Sequence, residues 1–308
     1  DGVKRGPYDD AKPRGHKATY SDLHTKSEFC ANCHNVFNPV HDNFALEHTY
    51  DEWKKSPYAE QEIQCQDCHM VPVEVAVRVA DEMKPADKLE HHGLGGPAAR
   101  GGVKRALVHD HGFVGGNAVI APLLGVTNGE AHAEEARKRL KTAASLDVKV
   151  AGTQANPVLE VTVHNRRAGH NLPTSLTFIR QIWLEVIIRD TAGKEILRSG
   201  SLTAENALPD GTVVFQDTAV DIHGKPEHKP WKVAKFSNQN TIPPKSHKTV
   251  PYPFQLPAGV TEYTVETKLH YRSFDQSVAD LLLEDKVTVP SVEMAAATQT
   301  YQGLTLQK

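Results

Sequence analysis

The stretch His24–Asn35 reads HTKSEFCANCHN, and the fold of the first part of the chain turns on what it binds. Cys30 and Cys33 stand three apart, and His34 follows directly. A second copy of the pattern, CQDCH, occupies Cys65–His69 and uses the other two cysteines of the chain. Three chemistries compete for two CxxC pairs. They can form two disulfides, as in secreted proteins. They can share one zinc ion. Or each CxxCH can attach one c-type haem. The histidines decide. With 17 histidines in 308 residues, chance places one behind both pairs with odds of roughly 0.003. The gap between Cys33 and Cys65 also exceeds the ~15–20 residues common in four-cysteine zinc sites.

Haem attachment accounts for the spacing. Cysteines at i and i+3 project from one face of a helical turn and can reach two vinyl groups of one porphyrin. The next residue then lies beneath the ring, where its imidazole reaches the iron. Cys30, Cys33 and His34 are expected to hold one covalent haem c, and Cys65, Cys68 and His69 a second. No thiol is then left for disulfides. Attachment of this kind occurs outside the cytoplasm. The chain begins at Asp1 without an initiator methionine, as expected of a mature chain whose secretion signal has been removed, although an engineered start reads the same way.

Length and composition bound the rest. A chain of 308 residues suggests two domains. A net charge of −3 argues against a nucleic-acid binder. No run of about 18 apolar residues predicts a membrane span. Residues 1–145 read as helical and loop-rich. In TYDEW (49–53), Thr49 and Glu52 suggest a capping box opening a short helix, with Pro57 helping to stop it. Residues 93–116 are glycine-rich and suit irregular backbone wrapped around a flat cofactor, or a flexible linker. Residues 127–144 give the clearest helix, with a second capping box from Thr127 and Glu130.

The character changes near Leu146. LDVKV, VLEVTVHN, RQIWLEVIIRD, EILRSG, TVVFQD, WKVAKF, YTVETKLHYR and KVTVP are short apolar or alternating runs, separated by turn signals such as DTAGK and LPDGT. They predict an antiparallel, immunoglobulin-like β-sandwich over residues 146–308. The proline-rich section 241–257 is expected at an edge. The last twenty residues carry no strong pattern and are expected to lie against another surface. The fold class is α+β, a mostly helical and irregular dihaem region followed by the sandwich.

A haem held by one histidine still has a second axial position. Methionine or histidine fills it in electron carriers. Only Met70, Met83 and Met294 are available, and Met70 adjoins His69 too closely to reach the far face of the same ring. Bis-histidine ligation is therefore expected. His24, six residues before Cys30, could reach the neighbouring haem, or be a surface histidine. In HDHGFVGGN either His111 or its rival His109 could bind iron. In RAGHNLPTS, His170 could point back from a loop between two strands, or merely shape a turn. His48, His91 and His92 are weaker candidates, and His223, His228 and His247 read as solvated.

These stretches together resemble secreted multihaem c-type cytochromes, in which a haem-binding region precedes a β-sandwich. The segments are SEFCANCHN, TYDEWKKSPYAEQEIQCQDCHM, HDHGFVGGN and GHNLPT followed by RQIWLEVIIRDTAGKEILRSG, and the likeness covers residues 16–200. It implies bis-histidine haems and electron transfer in the periplasm or outside the cell, with redox proteins or extracellular acceptors as partners. It implies His34 and His69 as proximal ligands, and His111, His170 and His24 as distal ones. The chain departs from the pattern in having two haem motifs where relatives have more, and LPTS (172–175) where they often read LPTG. Two haems span little of a chain this size, so self-association into a homopolymer, with the tail docked on the next subunit, is one expectation. The alternative function is a multihaem reductase or peroxidase with one open iron and an acid–base group nearby, for which Tyr50, Asp51, Arg166 and Arg167 are present. A zinc-binding adhesion module is a third reading.

Overall fold

The computed structural model describes residues 2–153, 156–283 and 287–302. The chain opens with a parallel pair, β1 (Val3–Gly6) beside β2 (Lys17–Tyr20). A 3-10 turn at Asp22–Thr25 leads into α1 (Glu28–Ala31) and then the hairpin of β3 (Val36–Asn38) and β4 (Phe44–Glu47). Four helices follow: α2 (Thr49–Lys54), α3 (Pro57–Glu60), α4 (Cys65–His69) and α5 (Val73–Glu82).

Several of these boundaries differ from those expected. The Thr49–Glu52 capping box does not form. His48 is the cap residue of α2, and the Glu52 carboxylate instead accepts from Thr174 Oγ1 at 2.6 Å and from the Asn171 amide at 3.0 Å. A distant loop thus takes the oxygen that a local cap would use. Helix α2 ends at Lys54, ahead of Pro57 as expected, and Pro57 also starts α3, whose second amide, Tyr58, donates to Ser56 Oγ. Proline suits that position because the first amides of a helix lack intrahelical partners. In α4 the Gln64 amide donates to the Asp67 carboxylate at 2.7 Å, so this helix carries its own cap.

Helix α5 builds the first core. Val75 and Val79 share one face, as do Ala76 and Ala80, and they pack with Tyr58, Ile63, Val71, Ala86 and Leu89. Met83, in the left-handed region at φ 52°, ends the helix. Residues 93–116 are irregular apart from the two-residue strands β5 (Gly96–Pro97) and β6 (Lys104–Arg105). Next come α6 (Ile120–Leu123) and α7 (Gly129–Ala143). The Thr127–Glu130 box is also absent. Asn128 caps α7 in a left-handed conformation, and Glu130 pairs with Arg137. A Cβ on Gly129 would sit 2.7 Å from the Ala121 carbonyl, so the tight α6–α7 corner requires glycine. Ala133, Ala136 and Leu140 form the buried side of α7.

Helix α7 runs straight into β7 (Ala144–Gly152), where the strand-rich part begins. The strands after it are β8 (Pro157–Asn165), β9 (Gln181–Asp190), β10 (Glu195–Ser199), β11 (Val214–Phe215), β12 (Thr218–Val220), β13 (Lys235–Asn238), β14 (His247–Pro253), β15 (Glu262–Arg272) and β16 (Val292–Gln302), with α8 (Gln276–Leu282) before the last. Two antiparallel sheets result. One has the order β14-β8-β7, the other β10-β9-β15-β16, with β11 also on β9. Alternate residues of β7 and β8 (Val148, Val150, Leu159, Val161, Val163) join Ile182, Leu184, Val186 and Ile188 of β9 and Val265 and Leu269 of β15 in one core. Each fully buried aliphatic side chain there contributes about 1.5–3 kcal/mol. The protein is thus α+β with antiparallel sheets. Among the described residues no helix is long and apolar enough to cross a membrane.

The proline-rich section supplies β14 at the sheet edge, where Pro251 and Pro253 do least harm to the ladder. Three expected strands are reduced or absent. TVVFQD gives only β11, and WKVAKF is a 3-10 turn followed by β13, which pairs with β12 outside the main sheets. In KVTVP, residues 287–290 form no strand, and Val289 packs with Val119, Phe274 and Val278. Lys286 lies outside the described residues. The tail behaves differently from expectation. Residues 292–302 form β16, the full-length partner of β15, so they dock on the chain's own sheet. Residues 303–308 lie outside the described residues.

Candidate functional site

Both CxxCH motifs sit on single helical turns. The amides of Cys33 and His34 both donate to the Cys30 carbonyl, at 3.1 and 2.9 Å. The second motif is α4 itself. Buried Ser27 ties the two together. Its Oγ accepts from the Cys65 amide at 3.0 Å, and its amide donates to Gln64 Oε1 at 2.8 Å. This brings the Cys30 and Cys65 thiols close enough for each to shift the acidity of the other. Cys65 is the more acidic of the two. Its thiol is lowered, first by Cys30 and then by Ser27, while Cys30 is pushed up. Burial pushes the Cys68 thiol up to about 12. Cys33 is exposed.

One cavity of about 470 Å³ connects the motifs. Cys30, His34, Cys65, Cys68 and His69 line it, together with Trp53, Tyr58, Ile63, Val73, Leu140, Leu172, Ile182 and Tyr271. Gly169 belongs to the same wall, where a Cβ would meet the Tyr58 and Trp53 rings at 3.5–3.7 Å. The site is therefore a largely apolar slot with nitrogen and sulfur at chosen points.

His170 enters this slot beside His69. The two ring centres are 6.1 Å apart and the planes lie 20° from parallel. His69 Nδ1 is 2.7 Å from the Val114 carbonyl, and His170 Nδ1 is 3.0 Å from the Asn171 carbonyl. A carbonyl only accepts, so each Nδ1 carries the proton and each Nε2 keeps a free lone pair. Burial, and then the repulsion a second charge beside His170 would meet, hold His69 down at about 4, and burial lowers His170 as well. Both imidazoles are therefore neutral. With metal–nitrogen bonds of about 2.0 Å, two imidazoles bound through Nε2 to one metal place their ring centres about 6 Å apart. The donor set and the spacing of the ring centres therefore fit two nitrogen ligands of one haem iron. His34 is oriented likewise, with Nδ1 2.8 Å from Glu47 Oε1, but its side chain is 59% exposed.

The loop that carries His170 is held from three sides. Asn165 Nδ2 donates to the His170 carbonyl, Leu172 bridges to Ile242, and Glu52 takes the Asn171 amide and the Thr174 hydroxyl. The other candidate histidines lie elsewhere. His24 is half-buried against Phe29, ring centres 4.9 Å apart, and its Nδ1 has no hydrogen-bond partner among the described residues. His111 is exposed and stacks on Phe113. His109 lies 3.9 Å from Asp67, and His48 3.4 Å from Glu52. None of these four lines the cavity. Tyr50 and Arg167 do line it, Tyr50 donating to Glu28 and Arg167 pairing with Asp81.

Three contributors were not among the residues read from the sequence. His132 and Arg139 line the cavity from α7, and their spacing of seven along a helix was the signal that they share a face. Arg139 donates to the carbonyls of Cys68 and Val71. Glu47 had no such signal, because only the β3–β4 hairpin brings it to His34. Among the described residues no three His, Cys, Asp or Glu side chains converge to hold a bare metal ion.

No family model matches the sequence, and no curated protein matches it. The fold is similar to the crystal structure of a penta-haem cytochrome c552 from Thermochromatium tepidum, with a TM-score of 0.61 and 16% identity. The match covers 94% of this chain and 61% of that one, so the chain spans under two thirds of its neighbour. A structural-genomics target matches at a TM-score of 0.21 and 10% identity, covering 51% of this chain and 84% of its own. That likeness carries no argument.

Proposed function

We propose that this chain is an electron-transfer protein carrying two covalently attached c-type haems. The observation that carries the reading is the His69–His170 pair, two neutral imidazoles with free Nε2 atoms, 6.1 Å apart in a slot bounded by both CxxCH motifs. A c-type haem supplies a one-electron iron couple and four equatorial nitrogens, so the protein need only supply thiols and axial imidazoles. Cys65 and Cys68 would hold the second haem, with His69 and His170 as its axial ligands. Cys30, Cys33 and His34 would hold the first, with His24 or His111 the candidates for its far side. Ser27 keeps the two attachment points adjacent, which favours exchange between the rings. Two nitrogen ligands at an iron would suit passing electrons over binding substrate.

In this reading residues 1–145 form the haem-binding part and residues 146–308 an immunoglobulin-like sandwich that carries the His170 loop. The protein acts in the periplasm or outside the cell, with redox proteins or extracellular acceptors as partners, and self-associates into a polymer. The likeness in fold to a penta-haem cytochrome supports the haem reading as an analogy. Two measurements test it. A haem stain on a denaturing gel should be positive, and the native spectrum should be low-spin and unchanged by carbon monoxide.

The exposed His34, with no second imidazole beside it among the described residues, favours one other reading. In it the first iron is open and the protein is a reductase or peroxidase. Carbon monoxide binding to one of the two haems in the native protein would support that reading over the first.

A further inference from the structure

The two motif histidines differ in what holds their Nδ1 protons. His69 donates to a backbone carbonyl, that of Val114. His34 donates to a carboxylate, that of Glu47, whose side chain is only 10% exposed. The last residue of β4, Glu47 pairs in register with Val36, two residues beyond His34, so the hairpin delivers the carboxylate to the imidazole. We propose that Glu47 is a positioning residue that sets the first haem at a lower potential than the second, so that electrons run from the Cys30–Cys33 haem to the Cys65–Cys68 haem. This rests on the haem reading above.

Three effects share this sign. A hydrogen bond to an ionised acceptor is roughly twice as strong as a neutral one. It draws the Nδ1 proton away and makes Nε2 a stronger donor, which favours the more positive ferric iron. His34 is also open to water, which stabilises the charged oxidised state there. At the second motif the Arg139 guanidinium sits on the Cys68 and Val71 carbonyls, and its positive charge disfavours ferric iron. One group opposes. Arg180 lines the cavity and its positive field reaches His34. It is engaged with the Ser273 carbonyl, and it acts through space, whereas Glu47 acts on the ligand ring itself. In the exchange, one electron leaves ferrous iron at the first haem and reduces ferric iron at the second, with no bond made or broken.

The test is a spectroelectrochemical titration of the full haem-loaded chain and its Glu47→Gln variant. His170→Met, which alters a ligand of the second haem alone, assigns the two waves. The expected result is an upward shift of the lower wave by about 59 mV, a tenfold change in the exchange constant for a one-electron couple, with the upper wave unmoved. If Glu47→Gln does not load haem, Glu47→Asp should give a smaller shift of the same wave in the same direction. Equal movement of both waves, movement of the upper wave alone, or no movement overturns the proposal. A wild-type chain with no covalent haem on a denaturing gel overturns the underlying reading instead, and the proposal with it.

Discussion

The imidazoles of His69 and His170 lie with ring centres 6.1 Å apart, each with its Nδ1 proton committed to a carbonyl. They come from α4 and from the loop between β8 and β9, so the strand-rich part of the chain completes a site begun by the helical part. On the haem reading, replacing His170 by Ala should leave covalent attachment intact, because no thiol is touched. It should convert one haem from low to high spin and let that haem bind carbon monoxide. A carbon monoxide difference spectrum beside a haem stain reads both effects. An unchanged low-spin spectrum would show that His170 is no ligand.

In haem-free protein the Cys30 and Cys65 thiols should join. Ser27 holds the two motifs side by side, and Cys65 is the more acidic thiol, so it supplies the thiolate first. Treatment with oxidised glutathione should form a Cys30–Cys65 disulfide, the two thiols losing two electrons and two protons to the reagent. Peptide mapping should find this crosslink ahead of either pair within a motif. Cys33, which is exposed, should remain open to alkylation.

Stability should depend on pH through Glu52. Burial raises its carboxyl from 4.5 to about 7, against the lowering effect of the Thr174 and Asn171 hydrogen bonds. A raised carboxylate favours the fold while it is protonated. The benefit is complete below the unfolded value and is lost as pH rises through about 7. The difference is on the order of 3 kcal/mol. Glu52→Gln keeps an acceptor for both donors without the charge. Its thermal midpoint should exceed that of the wild type at pH 8 and approach it at pH 4.5.

Gly200→Ala should cost roughly 3 kcal/mol. Gly200 sits at φ 77°, and an added Cβ would fall 2.0 Å from the Leu184 carbonyl oxygen in the middle of β9. The Gly200 carbonyl also accepts from Trp183 Nε1, so a backbone shift there disturbs a buried indole. Chemical denaturation should show the loss, whereas Gly193→Ala, at φ 81° in an open turn, should cost less because only backbone strain opposes it.

Much of the fold was legible where local pattern and tertiary demand agree. β8 alternates in burial along its whole length, and β15 does so from Glu262 to Tyr271, as their sequences alternate in polarity. Helix α7 and the proline-bearing edge strand β14 were legible for the same reason. Pattern failed where long-range pairing took over. β16 contains Ala295, Ala296 and Ala297 in a row, which no strand rule favours, and it exists because β15 offers it a full ladder. The two expected capping boxes failed because Glu52 and Glu130 found stronger partners, the His170 loop and Arg137.

By itself the sequence determined the spacing of Cys30, Cys33 and His34 and of Cys65, Cys68 and His69, because one turn of helix puts such residues on one face whatever surrounds them. It also limited the far ligands to a handful of histidines. Only the tertiary structure decided that His170 stands opposite His69, that His24 and His111 stay outside the slot, and that Glu47 rather than a carbonyl holds His34. Those pairings join segments far apart in the chain. They depend on the Asn165, Leu172 and Glu52 contacts that fix the His170 loop and on the hairpin that brings Glu47 round, and hydrogen bonds between distant segments leave no periodic trace in a sequence.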